Sequence, residues 1–173
     1  MISQINPQNT TIILDTMNFW IERTWDELMQ VVSKTDIITI NDEEAFQMTG
    51  NTNILSVAKQ ISDMGPSYVI IKKGEHGALL YHHDQTFLAP AVILDNVVDP
   101  TGAGDSFAGG MAGFLASQAE LNFEVLKTAM VYGSSVASFC VTDFGTKAIV
   151  NTSLSQVKKC VDMLKKYVDF KTF

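Results

Sequence analysis

The feature of this sequence that most constrains its fold is an alternation of short apolar runs, rich in Ile and Val, with longer amphipathic segments. Such runs predict buried strands, and the amphipathic segments between them predict helices that cover a parallel sheet. Two short runs close together in the sequence predict an antiparallel hairpin at the edge of that sheet. The predicted strands are 11–15, 36–40, 68–72, 78–81 and 86–89. The predicted fold class is therefore α/β with a mostly parallel central sheet.

The helix boundaries follow from caps and stop signals. Thr24, with Glu27 three positions later, forms a capping box that predicts a helix running to about Val32. Gly50 ends a short predicted helix that begins at Asn41. The predicted helices are 24–32, 41–49, 54–64, 104–117, 123–139 and 153–167.

The composition and net charge limit the classes of protein to which this chain can belong. The 173 residues are 46% hydrophobic and 18% charged, which predicts one globular domain over residues 1–173. A net charge of -7 argues against nucleic acid or an anionic membrane surface as a partner. The sequence has neither an apolar run that would span a bilayer nor the pattern of a signal peptide. Cys140 and Cys160 are too few and too far apart for a disulfide scaffold, so we expect a reducing, cytoplasmic location and two buried thiols.

The three histidines of the chain are His76, His82 and His83. The adjacent pair falls in the predicted hairpin loop 82–85, without a third ligand at usable spacing. We therefore expect solvated loop histidines rather than a metal site.

The stretch that carries chemistry is Asp99-Pro-Thr-Gly-Ala-Gly-Asp-Ser-Phe107, between an apolar region interpreted as a strand and the start of a helix. Gly102 and Gly104 let the backbone turn sharply, so that amides at the helix N-terminus point toward one spot and bind an anion. A dinucleotide fingerprint requires glycine at Phe107, and a P-loop requires Gly-Lys-Ser/Thr where Gly104, Asp105 and Ser106 stand. Neither nucleotide-binding pattern fits.

A carboxylate directly beside an anion site fits a base that takes a proton from a substrate hydroxyl while the amides stabilise a phosphoryl group in transfer. Asp105 is the candidate for that base. The alternative is that Asp105 is an ordinary first-turn residue and the glycines form an ordinary tight turn. The small residues of the helix that follows indicate that another segment approaches closely, with small partners on the later helix. These residues are Gly109, Gly110, Ala112, Gly113 and Ala116, with Ala129, Gly133, Ser134 and Ala137 as partners.

With Ala-Gly-Gly directly after it, this stretch resembles the second signature of the ribokinase/PfkB family of carbohydrate and nucleoside kinases. The resemblance implies a ribokinase-like three-layer α/β/α fold and the phosphorylation of a substrate alcohol, with ATP and Mg²⁺ as cofactors. Asp105 would be the general base, and the amides of Gly102, Ala103 and Gly104 would form the anion hole.

The segment Asn41-Asp-Glu-Glu44 is similar to the Asn-x-x-Glu motif of that family. The similarity implies that Asn41 lies on the nucleotide side and that Glu44 helps hold Mg²⁺ through water. From the residues alone, the alternative is a capping box with Asn41 as N-cap and Glu44 at the third helical position. We expect both roles together.

Two further segments resemble the nucleotide-binding parts of the family. Lys72, Gly74 and Gly77 lie in a stretch similar to the strand and turn that pass beside the phosphates, and 141–145 is similar to the loop that closes over the adenine. In potassium-dependent members, backbone oxygens at positions equivalent to four residues of this chain hold a monovalent cation, so K⁺ is a possible further cofactor. Those four residues are Asp99, Thr101, Cys140 and Gly145.

Asp15 closes the first predicted strand, on the ligand side of an open sheet, and we expect it beside the substrate or the phosphates.

The resemblance covers only the C-terminal half of the family pattern. The N-terminal half, with the lid and most substrate-binding residues, has no counterpart in these residues, so we expect residues 1–173 to be the catalytic and nucleotide-binding half and to be inactive alone. A sheet ending at its first strand would expose an unpaired edge. We therefore expect pairing with an N-terminal half, or self-association, as well as binding of ATP and a small sugar-like substrate.

Two other functions stay open from the sequence. One is a nucleotide-binding half-domain without turnover of its own. The other is a kinase of a nucleoside or of a vitamin-type alcohol, such as pyridoxal or hydroxymethylpyrimidine.

Overall fold

The computed structural model of the protein describes residues 10–169. The chain divides into two compact units. The first consists of the residues up to 73 together with 79–87, and the second of 74–78 together with the residues from 88 onward.

The five strands form one sheet in the order β1-β2-β3-β4-β5. The three strands β1, β2 and β3 are parallel, in a register that places Asp15 beside Thr39 and Asn41 beside Lys72. Among the described residues β1 pairs with β2 alone, so β1 is an edge strand. The bounds are β1 Ile13–Asp15, β2 Ile37–Asn41, β3 Tyr68–Lys72, β4 Ala78–His82 and β5 Gln85–Ala89.

Four helices belong to the first unit: α1 Asn18–Arg23, α2 Trp25–Val32, α3 Asp42–Thr49 and α4 Ile54–Asp63. The apolar faces of these helices and of the strands form the core of the unit, because the runs of Ile and Val in β2 and β3 are fully buried. Residues at the centre of that core include Val32, Ile38, Ile40, Ile61, Val69 and Ile71.

The start of α2 differs from the prediction. Thr24 is the N-cap of α2, but its side chain accepts no capping hydrogen bond. The Thr24 hydroxyl instead donates to the carbonyl of Trp20, at 3.3 Å, because an additional helix that the sequence pattern does not predict, α1, ends there. The predicted capping box of Thr24 and Glu27 is therefore wrong. The predicted helix itself, α2, is present.

The hairpin of β4 and β5 turns through only two residues. Both His83 (φ 44°) and Asp84 (φ 64°) are left-handed, the conformation of the tight turns that match the twist of paired strands. The Tyr81 hydroxyl donates to the Asp84 carboxylate at 3.3 Å. The loop predicted at 82–85 is thus shorter, and His82 lies at the end of a strand.

The second unit is helical: α5 Ala103–Leu115, α6 Phe123–Cys140, α7 Lys147–Val150 and α8 Leu154–Tyr167. It also contains a short 3-10 helix at Gly74–His76. The apolar stretch before residue 99, interpreted as a strand, has no regular structure. Instead, the Val98 amide donates to the Val141 carbonyl at the end of α6, at 2.8 Å.

Helices α5 and α6 pack closely through glycines. A Cβ atom on Gly110 would lie 2.8 Å from Cγ2 of Val136, and one on Gly133 would lie 2.8 Å from the carbonyl oxygen of Phe107. The predicted close approach is therefore confirmed at these two positions. Gly109 and Gly113 face open space. No helix of the described residues is both long and apolar enough to cross a membrane.

Candidate active site

Residues 99–105, here called the anion loop, lead into α5. The Thr101 amide donates to Oδ1 of Asp99 at 2.9 Å, and this hydrogen bond to the ionised form holds the pKa of Asp99 below its usual range. Gly102 is the N-cap of α5 with φ at 79°, in the left-handed region that favours glycine. The loop is thus fixed by its own backbone and by one carboxylate.

The amides of the anion loop differ in what they bind. The Ala103 amide donates to the Pro100 carbonyl at 3.1 Å, closing a turn. The amides of Gly102, Gly104 and Asp105 donate to no acceptor within residues 10–169. Unpaired amides at a helix N-terminus are donors available to an anion. Of the three amides predicted for the anion hole, those of Gly102 and Gly104 are therefore unpaired, whereas that of Ala103 is not.

Asp105 lies in the first turn of α5 with an exposed side chain. No cation in the described part of the chain forms a salt bridge with it. Its carboxylate is therefore accessible to a ligand that binds at the loop.

Residues at the C-terminal end of α6 form hydrogen bonds with the anion loop. The Cys140 thiol donates to the Thr101 carbonyl at 3.6 Å, and the Asp99 amide reaches the Val141 carbonyl at 3.4 Å. Both cysteines are buried and free, as predicted. The structure thus brings together Asp99, Thr101 and Cys140, three of the four residues predicted for a monovalent cation. Gly145, the fourth, lies in an exposed turn with φ at 63°.

In the first unit, the polar residues at the carboxyl ends of β1, β2 and β3 form a group that we call the carboxyl-edge cluster: Asp15, Asn41, Glu44 and Lys72. The Lys72 ammonium lies 2.7 Å from Oδ2 and 3.0 Å from Oδ1 of Asp15, on side chains only 15% and 26% exposed. Lys72 is thus held by a partly buried ion pair.

Asn41 and Glu44 form the capping box that was one of their two predicted roles. Oδ1 of Asn41 accepts from the Glu44 amide at 2.8 Å, and Oε2 of Glu44 accepts from the Asn41 amide at 3.3 Å. Burial raises the pKa of Glu44, against the opposing effects of the Asn41 hydrogen bond and the Lys72 charge, while Asp15 raises it further.

No three metal-ligating side chains cluster among the described residues, so Glu44 would meet a magnesium ion only through water. Oε1 of Glu44 accepts no hydrogen bond from the described residues. A carboxylate oxygen without a protein donor suits the retained waters of Mg²⁺.

The two glycines after Lys72 serve different purposes. Gly74 has φ at 55° and open space around it, so its turn alone requires glycine. Gly77 has φ at 86°, and a side chain there would collide with the Ala89 carbonyl. Gly77 therefore fixes the backbone against the end of β5, a structural role that the sequence does not reveal.

The structure corrects the prediction of solvated loop histidines at one of the three positions. His82 is not a solvated loop residue, because its Nδ1 lies 2.7 Å from the Ser67 carbonyl and its ring stacks on Tyr68 at 4.1 Å. His76 and His83 are exposed.

Known proteins resemble this chain over most of its length. A cytidine kinase from Thermococcus kodakarensis is 37% identical over 91 residues, which are 51% of this chain and 33% of that protein. A bifunctional ribokinase/ribose-5-phosphate isomerase A from Fructilactobacillus sanfranciscensis is 34% identical over 128 residues, covering 71% of this chain and 23% of that protein.

The solved structure of Arabidopsis thaliana ribokinase, complexed with ribose and ATP, matches with a TM-score of 0.70 at 24% identity, over 88% of this chain and 47% of that one. This likeness confirms the ribokinase-like α/β fold. The chain spans less than half the length of each of these three proteins.

The family model for pfkB family carbohydrate kinases matches residues 2–153. That range includes the anion loop, Asn41, Glu44 and Lys72, which all lie in segments that carried the resemblance. The chain belongs to the pfkB family of carbohydrate kinases.

Proposed function

We propose that this chain carries the catalytic and nucleotide-binding part of an ATP-dependent phosphotransferase, whose acceptor is a hydroxyl of a sugar or a related small molecule. One observation carries the proposal: an exposed carboxylate, Asp105, directly follows the unpaired amides of Gly102 and Gly104 at the start of α5. The family to which the chain belongs supports it.

In the proposed reaction, Asp105 accepts the proton of the substrate hydroxyl as the hydroxyl oxygen bonds to the γ-phosphorus of ATP. The bond from that phosphorus to the bridging oxygen breaks, and ADP leaves. The amides of Gly102 and Gly104 stabilise the charge on the transferring group, because a fixed donor needs no reorganisation during the reaction.

The carboxyl-edge cluster is the proposed partner of the polyphosphate. Glu44 holds Mg²⁺ through water, Lys72 donates to a phosphate oxygen, and Asn41 fixes Glu44 by the capping box. The ion neutralises phosphate charge when bound. We also propose that carbonyl oxygens of the segment from Asp99 to Thr101, with those near Gly145, hold a potassium ion.

The experiment is Asp105→Asn in the protein that carries this chain, with a panel of sugars and nucleosides and Mg·ATP. We expect phosphoryl transfer to fall by about 10²- to 10⁴-fold, while the Kd for ATP changes by no more than about twofold. Asp162→Asn, which removes an exposed aspartate on α8, is the matched control. Unchanged transfer in the Asp105 variant would show that the base is another residue.

A second candidate rests on the anion-binding groups alone, the unpaired amides of Gly102 and Gly104, without a catalytic base. It is a nucleotide-binding half without turnover of its own. ATP binding without transfer to any member of the panel would support it. The panel also separates sugars from nucleosides and from vitamin-type alcohols.

A further inference from the structure

Asp15 forms an ion pair with Lys72, and the proposed reaction gives Asp15 itself no role. They come from β1 and β3, which flank β2, and lie 57 positions apart in the sequence. The Lys72 ammonium donates to both carboxylate oxygens of Asp15, at 2.7 and 3.0 Å. Oδ1 of Asp15 also accepts from the Thr16 amide at 3.0 Å, which fixes the carboxylate itself.

The pair restrains a flexible side chain. A lysine ammonium sits on a flexible four-carbon stem, and it carries three N–H donors. The two contacts with Asp15 occupy at most two of them, so at least one donor remains on an ammonium that is held at the carboxyl end of β3. The low exposure of both side chains, 15% and 26%, limits the screening of the pair by water.

We infer that Asp15 is a positioning residue for Lys72: it holds the ammonium so that the remaining N–H donates to a phosphate oxygen of the nucleotide. The inference rests on the proposed function, because it assigns the anion that Lys72 meets. Asp15 keeps its hydrogen bonds to Lys72 when the phosphate binds, and the ammonium then bridges two anionic groups.

Positioning and charge predict opposite changes in phosphate affinity when Asp15 is replaced. Asp15→Asn removes a negative charge beside an anion site, and by charge alone it would tighten phosphate binding. Loss of positioning has the opposite effect, since the ammonium must then be ordered when the anion binds. A decrease in affinity therefore distinguishes positioning from charge.

The test measures the Kd of Mg·ATP and of inorganic tripolyphosphate by calorimetry, in the purified protein, for Asp15→Asn, Lys72→Met and the double variant. We expect Lys72→Met to weaken both ligands about tenfold, the value of one charge-assisted hydrogen bond. Asp15→Asn is expected to weaken both about three- to tenfold. In the Lys72→Met background, Asp15→Asn is expected to leave affinity unchanged or to increase it.

Two further variants and one measurement test whether the change in affinity is due to the carboxylate of Asp15. Asp15→Glu keeps the carboxylate and is expected to recover part of the affinity. Glu124→Gln breaks an ion pair of similar length with Lys127, 2.8 Å on α6, and is expected to leave both affinities unchanged. Circular dichroism of each variant at the temperature of the titration checks that the protein is folded.

The outcomes separate this inference from the proposed function. Tighter binding by Asp15→Asn, or the same change in both backgrounds, overturns the positioning role while leaving nucleotide binding intact. Full phosphoryl transfer by Asp105→Asn overturns the proposed base and leaves the positioning role standing. A wild-type protein that binds neither ATP nor tripolyphosphate overturns both.

Discussion

Glu44 is a carboxylate that the fold buries at a cost. Its pKa lies above the ordinary value of 4.5, chiefly because burial disfavours the charged form. A group with a raised folded-state pKa contributes stability that is complete below the unfolded-state pKa and is lost as the pH rises through the folded-state pKa. Once the pH exceeds the folded-state pKa, the charged carboxylate therefore reduces the stability of the folded state.

Glu44→Gln tests this cost. The amide oxygen still accepts from the Asn41 amide, as in a capping box with glutamine, but the side chain no longer titrates. We expect the free energy of unfolding of the variant to gain on that of the wild type as the pH rises from the ordinary carboxyl pKa of 4.5 through the raised pKa of Glu44, by about 1.4 kcal/mol for each pH unit separating the two. Urea denaturation over that pH range measures the difference.

Glu43→Gln is the control, because it removes an exposed carboxylate from the same helix. A difference between Glu44→Gln and the wild type that does not change with pH would contradict the raised pKa.

At the scale of elements, the contact between α5 and α6 depends on which glycines face the partner helix. Gly133→Ala places a Cβ 2.8 Å from a backbone oxygen of α5, so one helix must shift, and we expect a loss of about 1 to 3 kcal/mol. Gly113→Ala is the matched substitution in open space. It is expected to stabilise the protein by up to about 1 kcal/mol, the difference in helix propensity.

Denaturation of the two variants side by side measures both effects. Destabilisation of similar size in both would mean that helix packing at Gly133 is not the cause.

Sequence reasoning predicted elements where one local signal dominates. Strand β3 was predicted with its observed bounds, 68–72, because a run of Val and Ile lies between Pro66 and Lys72. The cap of α3 by Asn41 was predicted because its partner Glu44 is three residues away. Both features depend on residues that are close together in the sequence, so they can be predicted from the sequence alone.

The features that sequence reasoning missed are set by partners distant in the chain. Asp15 meets Lys72 across 57 positions, a contact that no local spacing indicates. Helix α1 was missed because Thr24 matched a capping pattern, while in the fold its hydroxyl serves the preceding helix. The Ala103 amide, predicted in the anion hole, closes a turn with Pro100. Only the folded chain shows which donors remain unpaired.

At the scale of the whole molecule, strand β1 leaves one edge of a parallel sheet without a neighbour in the described residues. The large apolar side chains that follow it are exposed, with Met17 at 50%, Phe19 at 50% and Trp20 at 45%. An unpaired edge beside an apolar surface favours association with another segment that covers it. The relatives, which are more than twice as long as the matched range, have further residues that are candidates for this role.

The last prediction concerns the 173-residue chain on its own. We expect it to sediment above its monomer mass of 19.0 kDa in a concentration-dependent manner, because a second copy covers the edge when nothing else does. Replacing Phe19 and Trp20 together by Ser is expected to shift the distribution toward 19.0 kDa. Leu154→Ser, which removes an apolar side chain 64% exposed on α8, is the control and is expected to have no such effect.

Sedimentation velocity over a range of concentrations makes the measurement, and the intact mass of the protein in its source cells completes it. A monomer at every concentration would mean that the edge of β1 is stable when exposed to solvent and that no partner is needed for solubility. A cellular mass well above 19.0 kDa would instead identify the partner as part of the same polypeptide. In that case the edge of β1 is an internal boundary of one sheet, and the proposed kinase activity belongs to the longer chain.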